Sequence, residues 1–461
     1  MSLVIVLAAL VFLMLVAYRG YSVILFAPVA ALGAVLFTDP SLVPPIFSGV
    51  FMEKMVGFVK NYFPVFMLGA VFGKVIELSG FSKSIVSAVI GILGKERAVL
   101  SIIVVCAILT YGGVSLFVVV FAVYPFAAEM FRQSNIPKRL IPCTIALGAF
   151  SFTMDALPGT PQIQNIIPTT FFNTTTWAAP ILGIIGSVFV FVVGLAYIEN
   201  RRRVAHKHGE GYGTDLVNEP EQFEEKELPN PWIAILPLFV VGVANFVLTI
   251  LIPRAYGAKH EVTLGDHPIV TQIGSVAAIW AVEGALILGI LTVFVFAWRP
   301  VLAKFADGSK AAVAGALLAS LNTASEYGFG GVIALLPGFQ VVASALRAIP
   351  NPLVNEAVTV TVLAGITGSA SGGMSIALAA MSDTFIAAAK EAHIPLEVLH
   401  RIASMASGGM DTLPHNGAVI TLLAVTGLTH RQAYKDIFVI TLTKTVAVFV
   451  VIAVFYLTGI Y

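Results

Sequence analysis

Charged residues are scarce in this chain. They make up 11% of its 461 residues, whereas hydrophobic residues make up 58% and the mean hydropathy is +0.94. A soluble chain of this length would need a charged surface around two or three domains, so the composition excludes that class and indicates a membrane protein. The formal net charge is only +1 and no basic patch is interleaved with aromatic residues, which argues against nucleic acid as a partner.

Cysteine is also nearly absent. The two cysteines, Cys106 and Cys143, lie inside apolar segments, far from any cysteine or histidine at metal-ligand spacing. We therefore predict that both are small core residues, and we expect no metal site and no cofactor.

Apolar runs of membrane-spanning length are abundant. A helix needs roughly 20 apolar residues to cross a hydrocarbon core of about 30 Å. The first run lacks the positively charged start and the cleavage site of a signal peptide, so we predict a retained helix. Uninterrupted candidates are 2–18, 22–38, 62–81, 178–198, 231–252, 272–297 and 434–459. Glycine, proline and polar residues interrupt the other apolar stretches, at 84–94, 98–132, 139–176, 309–348, 354–390 and 395–428.

One long polar segment, residues 199–230, divides the chain. It begins with basic residues directly after an apolar helix, so the positive-inside rule predicts that it lies in the cytoplasm. Its acidic remainder is predicted to be a flexible linker. We expect an N-terminal membrane half at 1–198 and a C-terminal membrane half at 231–461.

The two halves share three short strings in the same order. GGVSL at 112–116 matches GGMSI at 372–376 at an offset of 260 residues, NIP at 135–137 matches HIP at 393–395 at 258, and MDALP at 154–158 matches MDTLP at 410–414 at 256. One such match arises easily by chance, but three in register indicate a duplication. We predict an all-α polytopic membrane protein with two inverted repeats, at about 22–198 and 272–461.

Each string falls at an interruption of the apolar pattern. Non-helical backbone at membrane depth survives only where it lines a water-filled or ligand-filled cavity, because unpaired peptide groups are costly there. Glycine pairs, and a proline shortly after an aspartate, break helices. We predict that each Gly-Gly site is the tip of a re-entrant hairpin and that each Met-Asp-x-Leu-Pro site is a discontinuous helix. Corresponding breaks in two halves are typical of a transporter's binding site.

The breaks carry groups that suit an organic anion. A helix N-terminus offers unpaired N–H groups and a partial positive charge, and nearby polar side chains add hydrogen-bond donors. The alternative is that the serines and threonines only satisfy neighbouring backbone or help helices to pack closely. The candidate substrate-binding residues are Gly112, Gly113, Ser115, Thr160, Gln162, Gln164 and Asn165 in the first half, and Ser369, Ser371, Gly372, Gly373, Ser375, Thr412, His415 and Asn416 in the second.

Asp155 and Asp411 are the acidic residues of the repeated string. Since an ionised carboxylate repels an anion, three roles remain for each: carrying a proton as the coupling ion, ligating Na⁺ together with freed backbone carbonyls, or capping exposed N–H groups. His415 is close to Asp411 in sequence, and histidine is a residue type able to titrate near neutral pH, which favours the proton as the coupling ion. The first half has Gly159 at that position, so the two sites are not chemically equal.

Other ionisable residues also lie in apolar segments. They are Lys74, Glu77, Glu129, Glu283, Glu326 and Asp383. Lys74 and Glu77 are one helical turn apart and are predicted to neutralise each other. Glu326 lies between polar residues and a glycine-rich break in NTASEYGFGG, which makes it the third candidate for ion coupling. For Glu283, pairing with a neighbouring helix is at least as good an interpretation as function.

Four longer strings carry a family resemblance: YGGVSLFVVVFAVYP, IPKRLIPCTIALGAFSFTMDALPGTPQIQN, NTASEYGFGGVIALLPGF and ASGGMDTLPHNGAVITLL. They resemble the gluconate permease (GntP-type) family of the ion-transporter superfamily, and the resemblance covers nearly the whole chain. It implies a secondary transporter of two inverted repeats that imports small hydroxylated carboxylates, such as gluconate or 3-hydroxybutyrate, through a bacterial inner membrane. Within that family the strings resemble the hydroxybutyrate permease branch more than the sugar-acid branch. Such relatives use a proton gradient, and some members of the superfamily use Na⁺.

The binding residues of that superfamily lie at hairpin tips and helix breaks. Carried over, they imply Gly112, Gly113, Ser115 and 155–165 in the first half, and Gly372, Gly373, Ser375 and 411–416 in the second. The Ser-Asn-Thr signature of dicarboxylate relatives is replaced here by GGVS and SGGMS. This departure argues against a di- or tricarboxylate substrate and against two Na⁺ sites.

The expected function is uptake of a hydroxylated monocarboxylate by cation symport, with protons favoured and Na⁺ as the alternative. The expected partners are the organic anion, the cation and the lipid bilayer, and the helices outside the breaks are expected to form a scaffold or a homodimer surface. A passive anion channel is a weaker alternative, since broken helices line pores too. An intramembrane aspartyl protease is weaker still, because its G-x-G-D string is absent and duplication has no role in an aspartate dyad. No enzymatic activity is expected.

Overall fold

The computed structural model describes residues 2–19, 21–94, 97–214, 216–220, 228–264, 267–347, 349–414 and 416–461. The apolar stretches are helical, and prolines and asparagines mark many helix ends. For example, Asn230 caps the helix Pro231–Tyr256 and Asn351 caps the helix Pro352–Thr367, each followed by a proline in the first turn, where the missing N–H costs nothing.

The helices follow one another with short connections. In chain order they are α1 Ser2–Tyr18, α2 Val23–Thr38, a 3₁₀ turn Pro40–Leu42, α3 Val43–Ile46, a π-helical turn Phe47–Phe51, α4 Met52–Leu78, α5 Phe81–Leu93, α6 Ala98–Tyr111, α7 Leu116–Gln133, a 3₁₀ turn Lys138–Leu140, α8 Ile141–Ala149, α9 Phe152–Asp155, α10 Ile163–Phe172, α11 Pro180–Lys207, α12 Pro231–Tyr256, α13 Ile273–Leu335, α14 Pro337–Arg347, α15 Pro352–Thr367, α16 Ala370–Glu391, α17 Leu396–Ser407, α18 Gly417–Thr426 and α19 His430–Thr458. An antiparallel hairpin of β1 Lys259–Leu264 and β2 His267–Gln272 joins α12 to α13.

Six of the described helical stretches are long and apolar enough to cross a membrane. They are Pro40–Leu78, Pro180–Lys207, Pro231–Tyr256, Ile273–Leu335, Ala370–Glu391 and His430–Thr458. The longest contains 63 residues and is two helices joined at Ala297, whose φ of −135° and ψ of 35° are not helical. Pro300 causes this kink because it has no N–H to donate to the preceding turn. The all-α polytopic class predicted from composition is confirmed.

The order of elements repeats in the two halves. A long helix, a shorter helix, a helical hairpin, a broken helix and a long final helix follow each other from α4 to α11 and again from α13 to α19. The NIP and HIP strings follow the second helix of each hairpin with the same backbone conformation. Asn135 and His393 are both left-handed, at φ 49° and 55°. The predicted repeat is therefore visible in the backbone, while the exact domain boundaries stay a prediction.

The repeats are inverted across the membrane. α12 spans from residue 231, which follows the polar linker, to residue 256, which precedes the β-hairpin, and so defines a linker face and a β-hairpin face. Asn173 ends α10 and lines a surface cleft with Pro253 and Gly257 on the β-hairpin face. Its counterpart Gly427 ends α18 and packs against Val217 on the linker face. Equivalent residues thus lie on opposite faces.

The linker is held more firmly than its composition predicts. Tyr212 N donates to Asn135 Oδ1, Lys138 Nζ donates to the carbonyl of Val217, and Asn218 Nδ2 donates to the carbonyl of Ala424 in α18. These described residues therefore contact the helical part of the molecule through hydrogen bonds, while the flexibility of the linker stays a prediction. Residues 221–227 lie outside the described part.

Candidate functional site

The first hairpin turns at the predicted glycine pair. Gly112 and Gly113 connect α6 to α7, and the φ of 95° at Gly113 is one that other residues rarely adopt. A Cβ on Gly112 would overlap the side chain of Leu238 in α12, so glycine also permits this close packing. Ser115 precedes α7 at the tip and is half-buried.

The second hairpin turns four residues earlier than predicted. Gly368 and Ser369 form its tip, with Gly368 left-handed at φ 65°, so the assignment of Gly372 and Gly373 to the tip is wrong. Those two glycines lie in the first turn of α16, where Gly373 packs against the backbone of Ala364 and Gly372 against the carboxylate of Glu326. The true tips are 256 residues apart, the same offset as the Met-Asp-x-Leu-Pro strings.

Both predicted helix breaks are present, and each is tied to the hairpin of its own half. Break 1 separates α8 from α10, and break 2 separates α17 from α18. Gln162 precedes α10, and its Nε2 donates to the carbonyl of Thr110 at 2.7 Å. Asn416 precedes α18, and its Nδ2 donates to the carbonyl of Gly368 at 2.7 Å. The amide of each residue therefore donates to a carbonyl at the hairpin tip of its own half.

Several predicted substrate donors are occupied inside break 1. Thr160 Oγ1 donates to the carbonyl of Thr153, and Asn165 Nδ2 donates to the carbonyls of Thr160 and Thr176. Asn245 of α12 donates to the carbonyl of Gly159 at 2.9 Å. These side chains stabilise the unwound backbone itself, as the alternative interpretation of the polar residues expects.

A buried arginine from the second half completes break 1. Arg401 of α17 is fully buried, and its Nη1 donates to the carbonyl of Asp155 and to Asn165 Oδ1, both at 3.1 Å. Its Nη2 donates to the carbonyl of Ala178 at 2.8 Å. The neighbouring His400 bonds Asn165 Oδ1 through Nε2 at 3.1 Å. Freed carbonyls of the first half are thus satisfied by side chains more than 200 residues away.

The two predicted aspartates lie in the interior, near each other. Asp155 is 5% and Asp411 6% exposed, so neither faces lipid. Lys444 Nζ of α19 is 2.5 Å from Asp411 Oδ1 and 3.1 Å from the carbonyl of Phe150 in break 1. Asp155 interacts electrostatically with Lys444, Asp411 and Arg401, and a Cβ on Gly408 would overlap its Oδ2. We call Asp155, Asp411, Arg401 and Lys444 the central charge cluster.

The remaining candidates divide into bonded and unpaired groups. Thr412 Oγ1 bonds Thr441 Oγ1 at 2.6 Å, so it packs within the second half. Gln164 Oε1 and Ser375 Oγ are buried and have no hydrogen-bond partner among the described residues. His415 lies outside the described residues.

Glu326 forms a second polar group, against the first turn of α16. It is 3% exposed, and its Oε2 has no hydrogen-bond partner among the described residues. Ser369 caps this turn by accepting from the N–H of Gly372, and Ser371 Oγ is 3.2 Å from Thr323 Oγ1. The glycine at 372 lets the carboxylate approach the helix closely.

The predicted ion pair and the two cysteines behave as expected. Lys74 Nζ and Glu77 Oε1 are 2.9 Å apart, which confirms their pairing, and Cys106 and Cys143 are buried and free. Several buried ionisable residues were absent from the sequence-based candidates. They include His400, Arg401 and Lys444, described above, and Glu356 in α15, whose two oxygens have no hydrogen-bond partner among the described residues. Lys444 is the most visible from sequence, as a single charge within VITLTKTVAVFVV.

Comparison with known proteins adds the family. The profile of the GntP family permeases matches residues 1–285. The chain belongs to this family. The transporter YxjC of Bacillus subtilis (strain 168), described as uncharacterized, is 58% identical to this GntP permease, and all of both chains is covered.

The fold also has a solved counterpart. The YdaH transporter of Alcanivorax borkumensis, whose crystal structure was described as having an unusual topology, matches this permease with a TM-score of 0.52 at 15% identity. The match covers 88% of each chain. At this identity the likeness concerns the fold, and it agrees with a polytopic helical transporter architecture.

Proposed function

We propose that this GntP family permease imports a small hydroxylated monocarboxylate of the gluconate or 3-hydroxybutyrate class across the bacterial inner membrane together with a proton. The observation that carries the proposal is the meeting of Asp155 and Asp411, from equivalent breaks in the two halves, around buried cations. Ionisable residues inside a membrane are costly, and in transporters they mark substrate and ion pathways.

The balance of charge in the central charge cluster supports coupled binding. Two carboxylates and two cations cancel formally when both aspartates are ionised. An entering substrate carboxylate would then leave one negative charge uncompensated in a medium of low dielectric constant, which is very costly. A proton on one aspartate removes that cost. Anion and proton therefore bind more favourably together than separately, which is the thermodynamic requirement for symport.

Asp155 suits the role of proton acceptor better than Asp411. Asp411 is held by Lys444 at 2.5 Å, and this close cation stabilises its negative charge. Asp155 instead lies against Gly408, the residue that ends α17, where the negative end of the helix dipole opposes a second negative charge. Glu326, with its unpaired Oε2, is a further proton site in this proposal.

The substrate is assigned to the contact between α10 and α16. These helices pack together. The unpaired Gln164 Oε1 lies in the first turn of α10, and the unpaired Ser375 Oγ lies in the second turn of α16. The amide oxygen would accept from a substrate hydroxyl, while the serine would donate to the carboxylate. Ser115 and Ser371, both half-buried, flank the two hairpin tips. Binding there would join elements of both halves, as alternating access between repeats requires.

The test is uptake into proteoliposomes with a panel of labelled hydroxyacids, under separately imposed proton and Na⁺ gradients. We expect saturable uptake of a hydroxylated monocarboxylate that depends on the proton gradient and collapses when an uncoupler is added. Asp155→Asn should abolish accumulation against a gradient while leaving membrane insertion intact.

The matched control is Glu77→Gln, which neutralises a carboxylate of the exposed Lys74 pair and should transport like wild type. Accumulation by Asp155→Asn at the wild-type level would overturn the coupling role. Non-saturating uptake that ignores both gradients would identify a channel instead.

A further inference from the structure

The buried ammonium of Lys444 occupies an unusual position. It lies between the carbonyl of Phe150, at 3.1 Å, and Asp411 Oδ1, at 2.5 Å. Phe150 is the residue that ends α8, so its carbonyl belongs to the negative end of a half-helix within the membrane. Lys444 itself is 3% exposed and comes from α19.

These are the groups that coordinate a coupling cation in transporters built from broken helices. In such proteins, unwound carbonyls and the C-terminal ends of half-helices hold Na⁺, and a carboxylate nearby supplies the opposite charge. Here the positive charge at that place is covalently attached to the chain. A hard cation such as Na⁺ prefers oxygen ligands, and the ammonium already fills the space between two of them.

We propose that Lys444 determines the coupling ion, because its ammonium takes the place of a bound Na⁺ between Phe150 and Asp411. The inference rests on the proposed symport function and extends it. Lys444 excludes Na⁺ from the cluster by charge repulsion and by occupying its ligands. Asp155 then becomes the site for the mobile cation, a proton, next to the fixed charges of Asp411, Lys444 and Arg401. Among the described residues, Tyr434 also interacts with Asp411.

Removal of the ammonium should therefore create a Na⁺ site. Lys444→Ala leaves Asp411 as an uncompensated buried charge, which is strongly destabilising. Na⁺ should relieve this charge and raise the melting temperature of the purified variant by several degrees relative to choline, since a ligand that binds only the folded state stabilises it. Lys444→Gln, which retains an amide donor and adds an oxygen ligand, is the second variant and should respond in the same direction.

Three controls restrict the interpretation. Wild type should not respond to Na⁺ over choline. Lys444→Ala combined with Asp411→Asn lacks the carboxylate and should not respond either. Lys74→Ala removes a lysine from an exposed ion pair and controls for general salt effects.

A Na⁺ response confined to the two single Lys444 variants supports the proposal. Folded Lys444 variants that show no Na⁺ response overturn it, as does an equal response in wild type. If Lys444→Ala fails to fold, the result for Lys444→Gln decides.

A transport measurement separates this inference from the proposed function. Wild type should accumulate substrate under a proton gradient only, and Lys444→Gln should gain uptake driven by a Na⁺ gradient. If wild type transports no hydroxyacid under either gradient, the proposed function fails, while the melting temperatures still decide the role of Lys444. If wild-type uptake is driven by Na⁺, the inference fails and symport stands.

Discussion

Break 1 and break 2 have the same string and the same relation to a hairpin, yet they are stabilised differently. Break 1 receives Arg401 and His400 from the other half and Asn245 from α12. Break 2 is held by its own half, through contacts such as that of Lys444 with Asp411. The backbone breaks and their aspartates are therefore duplicated, whereas the cations that stabilise them are not.

Both cations of the central charge cluster, Arg401 and Lys444, come from the second half. α8, the counterpart of α17, has no charged residue, and α11, the counterpart of α19, has none between Pro180 and Ile198. A symmetrical set of cations would have placed four positive charges near two aspartates. Asymmetry instead gives a formally neutral cluster, which is the cheapest arrangement of charge at low dielectric constant.

We expect the largest loss of stability when Arg401 is removed. In Arg401→Ala the carbonyl of Ala178 loses its donors and the carbonyl of Asp155 loses one hydrogen bond. We therefore expect the free energy of unfolding to fall by about 3 kcal/mol or more. The measurement is the thermal unfolding midpoint in detergent, with monodispersity checked by size exclusion. Arg202→Ala, which breaks a pair with Glu199 at the polar end of α11, should cost less than about 1 kcal/mol. Equal effects would show that break 1 does not depend on the second half.

Gly408 tests whether the position of Asp155 matters for transport. A Cβ at this residue would overlap Asp155 Oδ2, so Gly408→Ala should displace the carboxylate and reduce proton-driven uptake by about tenfold, in line with overpacking costs of about 1–3 kcal/mol. Gly417→Ala is the matched control, because among the described residues no neighbouring atom lies within 4 Å of a Cβ there. Uptake is measured at equal amounts of reconstituted protein. Normal uptake by Gly408→Ala would contradict the assignment of Asp155.

Gln162 and Asn416 connect the two breaks to their hairpin tips, and we expect the two residues to contribute differently to stability. Both bond a hairpin tip, but Asn416 Oδ1 also accepts from the N–H groups of Ala418 and Val419, at 2.7 and 3.0 Å. Asn416→Ala should therefore cost about 2 kcal/mol, and Gln162→Ala about 1 kcal/mol. Thermal unfolding gives the costs, and hydrogen exchange at the tips locates them. Asn416→Asp should restore the cap without the bond to Gly368; a full recovery of tip protection would contradict the proposed tie.

The smallest expected effect concerns the described linker residue Glu219, which pairs with Lys138 and Arg132. Burial acts to raise the pKa of Glu219, but hydrogen bonds from Lys138 and Arg132 outweigh it and hold the pKa below its usual value. A lowered pKa in the folded state contributes stability above the ordinary pKa of glutamate, and that stability is lost as the pH falls through the lowered value. The difference in melting temperature between wild type and Glu219→Gln should therefore be largest near pH 7 and shrink below about pH 4. A difference that does not depend on pH would show that this pairing contributes nothing.

Much of the architecture follows from local chemistry and was predictable. The spans at 2–18, 231–252 and 434–459 agree with α1, α12 and α19 within a few residues. Both Met-Asp-x-Leu-Pro strings lie in the predicted breaks, and the next long helix segments, α10 and α18, begin only a few residues after each proline. The tip of the second hairpin was missed because two glycine pairs looked alike, and a packing glycine has the same letter as a turning glycine.

The membrane class, the duplication and the positions of the helix breaks follow from the sequence alone, because hydrophobicity and helix-breaking residues act within a few residues. Which side chains donate hydrogen bonds to the freed carbonyls of those breaks depends on the packing of the folded chain. Arg401 reaches the carbonyl of Asp155, and Lys444 reaches that of Phe150, across more than 240 residues of chain. A freed carbonyl attracts any donor in range, and only packing brings a particular donor within range.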